Sequence, residues 1–72
     1  MEKELLEKIV ELIYKSGFSV KRLSKDSGVS QSAIKSWLSG SRTPTVDNAQ
    51  YVLSVLGYTI IVASINEAKI HE

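Results

Sequence analysis

Two stretches with the same punctuation lie almost end to end in the middle of this chain, and they leave the backbone little choice. Ser19 opens the first and Gly28 closes it; Ser30 opens the second only two residues later, and Gly40 closes that one. A serine hydroxyl accepts from the free N–H groups of a helix's first turn, and glycine takes the left-handed conformation on which helices commonly end. The spacing predicts a helix from Val20 to about Ser27 and another between Ser30 and Gly40, joined so tightly that they must meet at a sharp angle. In the first, Leu23 is the clear core residue while Lys21, Arg22 and Lys25 face water. In the second, at about 100° per residue, Ile34, Trp37 and Leu38 share one narrow arc. Ser32, Lys35, Ser36 and Ser39 fall opposite, so this helix is apolar inside and carries short hydrogen-bonding groups and one lysine outside.

Leu5, Leu6, Ile9, Val10, Leu12 and Ile13 recur at helical spacing, which predicts an amphipathic helix from about Lys3 to Ser16, stopped by Gly17. The loop Ser41-Arg42-Thr43-Pro44 leads to Thr45, the expected cap of a fourth helix ending at Gly57, with Val46, Ala49, Val52, Leu53 and Leu56 toward the core and Tyr51 and Val55 elsewhere. From Tyr58 to Ile65 the chain is β-branched and continuous, which suits a strand. Both faces of such a strand carry apolar side chains, and its edges offer unpaired backbone groups. The helices supply no second strand, so the expectation is antiparallel pairing with the same segment of a second subunit; the alternative is an arm that folds back on its own domain. Tyr51, Val55, Tyr58, Ile60, Ile61 and Val62 are the expected dimer contacts. The chain thus divides into a helical domain, 1–57, and a C-terminal strand and polar tail, 58–72.

Size and composition point the same way. Seventy-two residues make one small domain that buries only about 60% of the surface its unfolded chain exposes. With no cysteine and a single, terminal histidine, His71, neither disulfides nor a metal can reinforce it, which leaves oligomerisation. No apolar run reaches the roughly 18 residues of a membrane span, and the start Met1-Glu2-Lys3-Glu4 lacks the basic opening of a signal peptide; the expected location is the cytoplasm. The net charge is only +1. Its distribution is uneven: Lys15, Lys21, Arg22, Lys25, Lys35 and Arg42 face the single acid Asp26, a local balance of +5, and the remainder of the chain carries −4. A basic middle between acidic ends is what a domain needs to lay one segment on phosphates.

The segment FSVKRLSKDSGVSQSAIKSWLSG, Phe18 to Gly40, resembles the two-helix motif of the Cro/cI repressor family, also called the Xre family. Leu23, Gly28, Val29, Ser30, Gln31, Ile34 and Gly40 carry the resemblance, and Pro44 with the Leu56-Gly57 helix end extends it over roughly residues 5 to 57. It implies a mainly α, lambda-repressor-like domain of four to five helices, here with one C-terminal β-strand paired in a dimer. It also implies a sequence-specific transcriptional regulator of phage or bacterial type, acting in the cell or infected host, whose homodimer binds a near-palindromic DNA operator.

By the same resemblance Gln31, Ser32 and Ser36 would read base edges, and Ser30, Ser39, Arg42 and Thr43 would hold phosphates; Lys35 could do either. A glutamine amide both donates to and accepts from adenine in the major groove, whereas serine offers one permissive bond. The sequence departs from the family in three places. Val20 stands where the family often has a phosphate-binding Gln. Ser24 replaces the usual Ala, tolerable if its hydroxyl bonds back to its own helix. Ile13 and Leu38 occupy the places of a buried Arg–Glu pair, and an apolar pair there is no weakness.

Nothing here reads as an enzyme. The serines have no histidine or lysine placed to activate them, and no paired carboxylates, phosphate loop or metal-ligand spacing occurs, so no catalytic residue, cofactor or small-molecule partner is expected. Trp37 belongs by its spacing to the core or its edge rather than to base stacking. Two alternatives share the resemblance: an antitoxin that represses its own promoter while holding a toxin, and a protein-interaction module that has lost DNA binding.

Overall fold

The computed structural model describes residues 3–61, which form α1 (Lys3–Ser16), α2 (Val20–Ser27), α3 (Gln31–Leu38) and α4 (Val46–Val55). Each of the last three helices starts where a hydroxyl residue can cap it. Ser19 Oγ accepts from the Arg22 N–H, Ser30 Oγ from Ala33 and Thr45 Oγ1 from Asn48, each at 3.1 Å. The stops are equally local. Gly28, at φ +79°, ends α2 with its N–H on the Ser24 carbonyl, and the Ser27 hydroxyl accepts from Val29, which turns the chain straight into α3. Only Gly28, Val29 and Ser30 separate the two helices, as the spacing predicts.

A single cluster holds the domain together: Leu6, Ile9 and Ile13 of α1, Leu23 of α2, Val29 of the turn, Ile34 and Trp37 of α3, and Ala49, Val52 and Leu53 of α4. α2 packs against both α3 and α4, and α1 against α3, so every helix contributes its apolar stripe to one interior. Trp37 is 3% exposed, in the core as its spacing requires. Ile13 is buried and Leu38 is half-buried against the cluster, consistent with an apolar replacement for an ion pair. The hydroxyl of Ser24 makes no hydrogen bond among the described residues; Ser16, Ser36 and Ser39 do bond back, to the Ile13, Ala33 and Ser36 carbonyls.

Two expectations need correction. Val46 has the right angular position for the core but is 57% exposed. It is the first residue of α4, and because helical side chains lean toward the N-terminus it points past the end of the interior. The second correction concerns the strand. Residues 58–61 adopt no regular structure, and the chain folds back onto its own helices. The Tyr58 N–H donates to the Leu53 carbonyl at 2.8 Å, and the Gln50 side chain takes the place of a partner strand: its Oε1 accepts from the Ile60 N–H at 2.8 Å. Gln50 is itself steadied by donating to Ser54 Oγ at 3.0 Å. Ile60, expected at a dimer interface, instead packs half-buried on its own core. Val62 and the rest of the expected strand lie outside the described residues.

Candidate nucleic-acid interface

The polar side of α3 and the loop that follows it carry the hydroxyls of Ser32, Ser36, Ser39, Ser41 and Thr43. Gln31 and Lys35 lie one turn apart on α3 and are exposed, as is Ser32. The end of α3 then folds over itself. The Ser36 carbonyl gathers the loop, accepting from the N–H groups of Ser41 at 3.0 Å and Arg42 at 3.3 Å and from the hydroxyls of Ser39 at 3.1 Å and Ser41 at 3.2 Å. Gly40, at φ +78°, makes that reversal possible.

The residues singled out from sequence do not all meet in one place. A hollow of about 470 Å³ between α3, the loop and the start of α4 brings together Ser30, Ser32, Ser36, Arg42 and Thr43. Gln31 and Lys35 stand beside it on the outer stripe of α3. Ser39 lines a different hollow, with Leu6 and Val10 of α1, Leu38 of α3 and Thr43, which reaches both. Ser36 is half-buried, and its hydroxyl hydrogen is committed to the Ala33 carbonyl at 2.5 Å. Its remaining capacity is as an acceptor. Ser39 Oγ is likewise engaged locally, 3.1 Å from both the Ser36 carbonyl and Ser41 Oγ. A short serine side chain on a helix reaches its own preceding carbonyls easily, a competition that spacing alone does not reveal.

The same hollow is lined by Thr45 and Asn48 of α4. Thr45 is the cap, but Asn48 was not among the residues expected at the site. Its only sequence signal is its place three residues after the cap, and the wall it forms exists only because α4 turns back beside α3.

Charge is sorted by local pairing. Lys15 and Lys8 both pair with Glu11 at 3.1 Å on α1. Hydrogen bonds from Lys15 and then Lys8 hold the Glu11 carboxyl below its ordinary range. Arg22 lies 3.7 Å from Asp26 and 3.9 Å from the centre of the Phe18 ring. Lys21, Lys25, Lys35 and Arg42 form no ion pair among the described residues. Among the described residues these four place the uncommitted positive charge on α2, α3 and the loop, and no acid lines the hollow.

None of the described helices is long and apolar enough to cross a membrane. No curated protein and no solved structure matches the chain. The helix-turn-helix family model matches residues 4–62, which takes in all four helices and the segment folded over α4. Its extent agrees with the capped, glycine-stopped pair α2 and α3 and with the core on which they pack. The chain belongs to the Cro/C1-type helix-turn-helix (Xre) family of DNA-binding regulators.

Proposed function

We propose that this protein is a sequence-specific transcriptional regulator that binds a near-palindromic operator as a homodimer, with α3 in the major groove. The observation that carries the reading is the division of α3 itself. One side, Ile34 and Trp37, is buried; the other presents Ser32 and Lys35 to solvent, with Gln31 exposed at the helix start, beside a hollow containing Arg42 and no acid. Gln31, Ser32 and Lys35 are the base readers in this arrangement, with Ser36 limited to accepting. Ser30, Arg42 and Thr43 hold the backbone, and Ser39 serves chiefly to shape the loop. Phosphate contacts set register and base contacts supply sequence, so the two groups have different jobs on neighbouring surfaces.

The homodimer is supported by apolar side chains left in water near the end of the described chain. Tyr51 and Tyr58 are more than half exposed, Ile61 is 82% exposed, and Val55 is half-buried. A two-fold pair would set two recognition helices about 34 Å apart, one turn of DNA.

Titration with random-sequence duplex DNA across a range of salt tests the core of the proposal. Binding that falls steeply as salt rises is expected from counterion release. An absence of binding at any salt would instead favour the protein-interaction module. Selection from random DNA should then return a motif with two-fold symmetry. Light scattering should give a dimer that Ile61→Lys converts to a monomer with weaker operator binding, and a monomeric wild-type chain at micromolar concentration would overturn the dimer.

A further inference from the structure

The hollow beside α3 has a wall on α4 that neither the motif nor the charge pattern accounts for. Asn48 is half-buried there, facing the same space as Arg42, Thr43 and Ser32, and its side-chain amide makes no hydrogen bond among the described residues. Its backbone is occupied, with the N–H on Thr45 Oγ1, so the residue is held firmly while its amide is left with two donors to offer. We propose that Asn48 is a positioning residue for DNA, donating to one backbone phosphate seated in this hollow together with Arg42.

This rests on the reading that α3 enters the major groove, and geometry then selects the phosphate over a base. A helix with its side chains is about 10–12 Å across, and the groove is about 12 Å wide. α3 fills that width, so a surface offset from it toward the loop and α4 meets the wall of the groove, which is sugar and phosphate. The hollow matches that ligand: one guanidinium, one neutral amide, hydroxyls and no carboxylate. Asn48 brings no charge, so its bond to phosphate adds affinity without releasing a counterion, unlike that of Arg42.

The experiment measures binding of random-sequence duplex by the wild-type chain, Asn48→Ala, Asn48→Asp and a charge-matched control, Tyr14→Asp, on exposed α1 away from the hollow. Each variant's thermal midpoint is measured in parallel. Asn48→Ala is expected to lose about tenfold in affinity at every salt concentration, with the salt slope unchanged. Asn48→Asp is expected to lose more than Tyr14→Asp does, while its midpoint stays level or rises. An acid in the first turn of α4 favours the helix, so stability and binding move in opposite directions. A purely structural asparagine would move both together, and that result overturns the proposal. So does Asn48→Asp binding no worse than Tyr14→Asp, or a loss seen on one operator sequence and absent on random duplex, which would mark a base contact. A wild-type chain that binds no duplex overturns the function itself, whereas normal binding with an indifferent Asn48 overturns only this inference.

Discussion

Shortening Ile34 in two steps measures how much of the domain depends on the buried side of α3. Ile34 has no solvent exposure and belongs to the same cluster as Ile9, Leu23 and Val52. Ile34→Val removes one methylene, worth about 0.8 kcal/mol in transfer from water. With a small void the cost should be about 1 kcal/mol. Ile34→Ala removes three carbons, roughly 2.4 kcal/mol by transfer alone, and the cavity raises this to about 4 kcal/mol. A domain of this length is stable by roughly 4–11 kcal/mol in total. The valine variant should therefore stay folded, while the alanine variant sits near the limit. At this size 1 kcal/mol corresponds to about 4–8 °C, which is the expected fall in midpoint for Ile34→Val. Trp37, the single tryptophan and 3% exposed, reports unfolding by its fluorescence in thermal or urea melts. Since Ser32 lies on the opposite side of α3 and Gln31 stands exposed at its first residue, folded Ile34→Val should bind duplex DNA like the wild type. An unmoved melt for Ile34→Ala would place Ile34 outside the core, and weakened binding by a fully folded Ile34→Val would mean that the two sides of α3 are wrongly assigned.

Gln31→Ala should relax base preference at one position of each half-site and cost roughly 1–3 kcal/mol of discrimination, whereas Arg42→Ala should weaken all sequences alike and lower the salt slope by about one. Equal losses on operator and random DNA for both variants would erase the division between reading and holding. Gln50→Ala removes the acceptor of the Ile60 N–H; amide exchange at Ile60 should accelerate, with a stability loss of about 1 kcal/mol. Unchanged exchange would show that the segment after α4 is held by packing alone. Gly28→Ala meets no neighbouring atom, so its cost is the left-handed backbone alone, roughly 1–2 kcal/mol by chemical denaturation. A stability equal to the wild type would contradict the φ of +79° at that turn.

The helices, their caps and the three-residue turn between α2 and α3 were legible in the sequence, because all of them are decided within a few residues. A hydroxyl three positions before an N–H, a glycine at a left-handed turn and an apolar stripe at helical spacing need no distant partner to act. The tight turn from Gly28 to Ser30 and the burial of Trp37 follow from such rules, as does the exposure of Ser32 and Lys35. Tertiary structure decided what depends on neighbours far along the chain. The β-branched run after Gly57 reads as a strand by local preference, yet Gln50, ten residues before Ile60, supplies the hydrogen-bond acceptor a partner strand would have offered, and the core takes Ile60. Val46 shares the core stripe but lies at a helix end, beyond the reach of the interior. Asn48 comes to line the hollow with Ser32 and Arg42 only through the reversal at Gly40 and the packing of α4. Periodicity states which side of a helix is apolar; it does not state which other segment covers that side or what the remaining polar groups face, because that depends on where the rest of the chain lies in space.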